Sequence, residues 1–188
     1  MSRGIPGTVA MVVMMSVASP LASAEPSAEA KLYLNQLETN DAYAQQEAFL
    51  HLEALREPDT APIVRQQLKS RKAQTRAFAV RAMAAIEGKH AVPELLARVQ
   101  HEHPIVRVAA LLALEPLQKQ DPSIAPALIA ALRDRKPMVR MAAVDIVSRI
   151  KQPDAREAIL VRWKRERHRD VRRVLELAMK RIGEQSNE

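Results

Sequence analysis

Apolar residues recur along this chain in short helical stripes, and the stripes themselves recur. Four arginines, in Thr75-Arg76, Val106-Arg107, Val139-Arg140 and Val171-Arg172, stand 31, 33 and 32 residues apart. Three residues after each arginine comes Ala79, Ala110, Ala143 or Leu175, and seven after comes Met83, Leu114, Val147 or Met179. Ten after comes Ile86, Leu117, Ile150 or Ile182, so these offsets share one face of an α-helix. Pro62, Pro93, Pro126 and Ala158 keep the same register, each 14 residues upstream of its arginine. An offset held four times marks a repeat of about 32 residues.

Each unit predicts two helices. The first, helix A, opens on Asp and Pro signals (Pro58-Asp59, Asp121-Pro122, Pro153-Asp154), where a short acceptor caps and proline suits the first turn. Its apolar stripe is Ile63-Val64-Leu68, then Leu95-Leu96-Val99, Leu128-Ile129-Leu132 and Ile159-Leu160-Trp163. Helix B starts near Pro104 or Pro137 and carries the landmark arginine. Residues 29–56 form a fifth, degenerate unit, with Leu32, Leu34 and Leu37 on one helix, Ala48, Leu52 and Leu55 on the next, and Gln45 in place of the arginine. A divergent end unit is expected, because it has no outer neighbour. The expected division is a leader over 1–24, a capping unit over 25–57, units over 58–89, 90–120, 121–152 and 153–185, and a tail over 186–188.

The pattern resembles the HEAT-repeat family, and more narrowly its short bacterial-type members related to phycobiliprotein-lyase repeats. The resemblance is carried best by the run Leu132-Arg133-Asp134-Arg135-Lys136-Pro137-Met138-Val139-Arg140-Met141-Ala142-Ala143. The family motif places an Asp six residues before the Arg. Asp134 fits and Glu166 is a conservative variant, whereas Ser70 and His101 depart from it. The resemblance implies an all-α, right-handed α-solenoid of about five two-helix HEAT-like repeats. It also implies an inter-repeat ladder drawn from Arg76, Arg107, Asp134, Arg140, Glu166 and Arg172, which only two of the four units have the residues to make in full.

Composition narrows the alternatives. There are only 4 Gly and 5 aromatic residues, and Gly4 and Gly7 lie in the first ten positions. A fold of tight hairpins is disfavoured, because its turns need residues that tolerate positive φ. No GxGxxG, GxxxxGK[ST] or GxSxG motif occurs, so phosphate-cradling loops and the hydrolase elbow are absent from the sequence. The two later glycines, Gly88 and Gly183, are expected just past a helix B, where a helix end favours glycine. Phe78 and Trp163 fall on core stripes.

Charge and the first residues raise the question of compartment. The formal charge is +7. Residues 1–24 read as a secretory signal, with Arg3 ahead of an apolar stretch from Val9 to Ala18 and Ala22-Ser23-Ala24 as the small-residue cleavage site before Glu25. The stretch is too short to span a bilayer. The expected location is therefore periplasmic or secreted. With no cysteine, an exported chain has neither disulfides nor thiolate chemistry.

Two surfaces stand out as candidates. On helix B, the offsets +1, +4, +5 and +8 from each arginine point away from the core stripe. In the middle units this places Val108, Leu111, Leu112, Met141 and Val144 on a face expected to bind a partner, the alternative being that neighbouring B helices bury part of it. The A-to-B turns carry Lys69, Arg71, Lys72, Arg133, Arg135, Lys136, Arg165, Arg167 and Arg169, a basic edge against Glu102, Asp134 and Glu166. That edge is either simply solvated or a footprint for an acidic protein or an anionic envelope component. Nucleic acid is disfavoured, because aromatic stacking platforms are nearly missing.

Catalytic chemistry is not legible in the sequence. His101-Glu102-His103 is the one tight histidine cluster, able to ligate a metal only with a third group such as Asp134, and no metal or cofactor is expected. No nucleophile, base and orienting group can be assembled from the spacing. The expectation is a protein-interaction scaffold or adaptor and no enzyme. The rival implied by the resemblance is a lyase-type enzyme acting on a protein-bound prosthetic group.

Overall fold

The computed structural model describes residues 25–39, 41–150 and 153–184, and the expected leader lies outside them. The chain runs as α1 (Ala28–Leu37), α2 (Ala42–Leu55), α3 (Ala61–Gln67), α4 (Ala73–Glu87), α5 (Val92–His101), α6 (Pro104–Leu114), α7 (Ile124–Ala130), α8 (Pro137–Val147), α9 (Pro153–Arg165) and α10 (Arg169–Glu184). Short 3₁₀ turns flank several of them, and no strand occurs among the described residues.

Local chemistry sets these boundaries. The Ser27 hydroxyl accepts from Ala30 N at the start of α1, and Asp41 accepts from Tyr43 N and Ala44 N at the start of α2. Proline occupies the first turn of α5, α6 and α8, where its missing N–H costs nothing. Gly88 ends α4 at φ +56°, the left-handed geometry expected of it. Gly183 differs, since it sits inside the last turn of α10 and not beyond it.

The helices pair as α1/α2, α3/α4, α5/α6, α7/α8 and α9/α10, and the second helices pack side by side in the order α2, α4, α6, α8, α10. The result is the expected α-solenoid of five two-helix units. Offset +3 holds Ala79, Ala110, Ala143 and Leu175, all fully buried. Met83, Leu114 and Val147 at offset +7 are also fully buried. In the degenerate first unit, Leu34, Leu37, Ala48 and Leu52 are buried as expected, while Leu32 is exposed.

Two readings of the helix faces need correction. Leu111 and Val144, expected on the outer face, are 0% exposed. A B helix packs against its own A helix and against the B helices on both sides, so its buried arc is wider than one core stripe and takes in offset +4. Val80 at that offset is equally buried. Val108 and Met141 are half-buried, and Leu112 alone of the five is exposed, at 46%. Trp163 is the second correction. It is 37% exposed, and the Arg172 guanidinium lies over its ring at 5.7 Å in a cation–π contact.

Candidate functional site

The landmark arginines form a ladder along the A-to-B turns. Arg107 donates from Nε and Nη2 to both carboxylate oxygens of Asp134, at 2.8 and 2.6 Å, and from Nη1 to the Glu102 carbonyl. Arg140 repeats this one unit on, with Nε and Nη2 donating to Glu166 at 2.8 and 3.0 Å and Nη1 to the Asp134 carbonyl. Arg76 donates from Nη2 to Glu102 at 2.8 Å and from Nη1 to the Ser70 carbonyl. Each guanidinium therefore joins its own turn to the next. Planar, bidentate pairing of this kind suits arginine and would not survive replacement by lysine.

Three links exist, where two full units were expected. The expected ladder counted only acids six residues before an arginine, which leaves out Glu102, and the acid that pairs with each arginine belongs to the following unit. Glu102, five residues before Arg107 in place of six, serves because its longer side chain makes up the offset. Glu166, expected beside Arg172, gives its carboxylate to Arg140, and the hydrogen bond of the Arg172 side chain among the described residues goes to the Glu166 carbonyl, at 3.4 Å.

Glu166 and Glu102 are held ionised by what surrounds them. Burial works against the charged form of Glu166, which is 3% exposed, yet Arg140, the His168 N–H and Arg162 more than offset it and hold its pKa at about 2. Glu102 follows the same balance: burial opposes its charge, while the His103 N–H, Arg76 and Arg98 bring its pKa below the usual carboxylate range. Asp134 also accepts from the Lys136 N–H, which shapes the turn ahead of α8. Glu102 and Asp134 are thus committed to arginines and not to a metal, and His103 Nδ1 accepts from Ile105 N at the start of α6.

This commitment defines the edge. Lys69, Arg71, Lys72, Arg133, Arg135, Lys136, Arg165, Arg167 and Arg169 are all exposed, and none of the nine side chains makes an ion pair among the described residues. Glu102, Asp134 and Glu166 of the same turns face inward to the ladder, and Asp170, beside Arg169, is the acid left on the outer surface of the last turn. The cations follow the edge of A-to-B turns in a line broken at the third unit, whose turn carries none of them. Between α7 and α9 the line borders a groove of about 580 Å³, with Ile129, Ala158 and Val161 in its floor and Arg133, Arg162 and Arg165 at its rim. The groove went unforeseen, because two A helices of adjacent units line it and neither stripe alone reveals how far they stand apart.

The expected face on the B helices is largely charged. Arg81 pairs with Glu53, and Arg149 donates to Glu115 and Asp145. Arg181 reaches Asp145 at 3.4 Å. Leu112 borders a shallow pocket with Arg81, Ala84 and Leu117 but stands apart from any other exposed apolar group of that face.

The family model for HEAT repeats matches residues 30–115 and 92–180. The protein belongs to the HEAT-repeat family. Twenty solved chains match the structure significantly. One is from the complex of CpcE and CpcF of phycocyanin lyase from Nostoc sp. PCC7120, at TM-score 0.63 and 23% identity, covering 80% of this chain and 98% of that chain. No curated protein sequence matches at a significant level. These findings correct one expectation. A HEAT-repeat chain of this fold forms part of a phycocyanin lyase, so the missing catalytic set does not exclude the protein from enzyme function.

Proposed function

We propose that this HEAT-repeat protein is an exported docking scaffold whose basic edge holds an acidic protein partner. The observation that carries the reading is the set of nine exposed, unpaired cations in the A-to-B turns of the second, fourth and fifth units, beside ladder acids that are turned inward. A rigid row of like charges has a high potential and steers an anionic partner at long range. The groove between α7 and α9 gives the same edge an apolar foothold, into which a side chain of the partner would insert between Arg133 and Arg165. A solved structure of the same fold is a complex of two proteins, which supports a protein as the occupant.

The test is a cross-linked pull-down from the envelope fraction. The unaltered chain is compared with a variant in which Arg133, Arg135, Arg165 and Arg167 are all changed to Glu. Recovery of an acidic protein, lost in the variant and weakened by salt, is the expected result; recovery unchanged by the reversal excludes the edge. Mass spectrometry of the N-terminus tests export, and an intact Met1 excludes the cleaved leader. A lyase-type role on a protein-bound prosthetic group is the second reading, favoured by the fold shared with the phycocyanin lyase complex. The same pull-down decides it, because a partner with visible absorbance supports that role and a colourless one counts against it.

A further inference from the structure

Every interior ladder arginine is gripped on two sides. Nη1 donates to a carbonyl of its own turn, and at least one of Nε and Nη2 meets a carboxylate of the next turn. The chain matches these partners link by link. The second unit carries Ser70 where an acid would stand, and the unit before it carries Gln45 in place of an arginine. Gln45 Nε2 donates only to the carbonyls of Leu37 and Thr39, so this link is neutral on both sides.

Arg172 breaks that matching. Its Nη1 donates to the Glu166 carbonyl, six residues back as in Arg76 and Arg140, and its guanidinium rests on Trp163. The pose is that of the other ladder arginines. Yet it is exposed, and among the described residues no carboxylate meets its Nε or Nη2. The surface around it is charged: Arg167, Arg169, Asp170, Arg173 and Glu176 surround Arg172 in one shallow depression. Offset +4, apolar and buried in Val80, Leu111 and Val144, is here the exposed Glu176. The end of the stack therefore closes the apolar core and presents charge to whatever meets it.

The opposite end has the opposite sign. Residues 25–57 carry seven carboxylates against two Lys/Arg, a net −5, while residues 153–184 carry ten Lys/Arg against six carboxylates, a net +4. At the α1–α2 turn, Glu38 is exposed, and its carboxylate makes no hydrogen bond or ion pair among the described residues. It lies seven residues before Gln45, close to the register of the ladder acids, which lie five or six before their landmark. Of the seven large apolar side chains left exposed among the described residues, five (Leu32, Tyr43, Leu50, Trp163 and Leu177) belong to these two end units.

We propose that the first unit of a second copy of this chain docks head to tail on α9 and α10, with its Glu38 carboxylate on the open Nε/Nη2 side of Arg172. The contact is heterologous, so association adds copies along one axis and does not stop at a two-fold dimer. Charge drives it, so salt weakens it. This inference is independent of the basic edge, because it requires neither the groove nor the cations of the earlier turns.

Sedimentation velocity on the full chain tests it, with Arg172→Glu and Glu38→Arg as variants. Both positions are exposed, and circular dichroism verifies that the variants keep their helices. The unaltered chain is expected to form species larger than 21.0 kDa in dilute salt and to dissociate in about 0.5 M salt. Each variant alone is expected to associate at least about tenfold more weakly, and an equimolar mixture of the two is expected to regain association, since each end then meets an opposite charge. A monomer in dilute salt overturns the proposal. So does association that survives Arg172→Glu, or a mixture that fails to restore it.

Discussion

The A-to-B turns hold two sets of charged residues that differ in everything except position. Glu102, Asp134 and Glu166 are turned inward onto arginines, and Glu166 is almost wholly buried. Arg133, Arg135, Arg165 and Arg167, one or a few residues away, are exposed and unpaired. The first set holds the units in register, because a buried charge that loses its partner has no water to turn to. The second set adds little to stability and is free to meet another molecule. Neighbouring charges in one turn thus divide into a paired, inward group and an exposed, unpaired one by direction alone.

The largest effect is expected from breaking the inner set. Glu166→Gln leaves Arg140 and Arg162 facing a neutral amide and should destabilise the fold by about 3–5 kcal/mol in denaturant titration. Asp134→Asn should cost less, since a single guanidinium, that of Arg107, faces it. Replacing Arg140 by Met and Glu166 by Leu together should recover most of the loss, because no unpaired charge is then left buried.

Acid should weaken the same interaction. A carboxyl whose pKa is lower in the folded than in the unfolded chain stabilises the fold fully above its unfolded value. With Glu166 at about 2 when folded, its contribution should be complete above about pH 5 and lost as the pH falls toward 2, on the order of 3 kcal/mol in all. Thermal melts across that range should show a shallower fall in Glu166→Gln than in the unaltered chain. Equal slopes would mean that other acids dominate.

Two adjacent leucines sharpen the contrast between inside and outside. Leu111→Ala should cost about 2–5 kcal/mol by opening a cavity between B helices, whereas Leu112→Ala should stay near 0.5 kcal/mol, both read from denaturant midpoints. The smallest effect on stability is expected from the outer cations. Reversing Arg133, Arg135, Arg165 and Arg167 should shift stability by no more than about 0.5 kcal/mol per site while abolishing partner recovery.

Much of this architecture was legible before any coordinates. The 14-residue offset between Pro62, Pro93, Pro126 and their arginines located both helices of each unit, because proline and helical periodicity are local signals. The basic edge was legible as well, since turns of a repeat must line up. Leu111 and Val144 were misplaced because a helical wheel knows the face toward one neighbour, while each B helix here has three. Glu102 was passed over because it lies one residue off the family spacing. Trp163 reads as core on its stripe, but α9 belongs to the last unit and leaves it half-covered, with Arg172 on its ring.

What the sequence by itself determined is the unit: its length, its two helices, its small-residue core and the charge of its turns. All of these follow from interactions within about 32 residues, where spacing translates directly into geometry. What only the tertiary structure decided is how one unit meets the next. The direction of each carboxylate, the burial of offset +4, the groove between α7 and α9 and the open side of Arg172 all depend on the distance and rotation between adjacent units. No periodicity within a single unit encodes those quantities; they are set when side chains from both units pack.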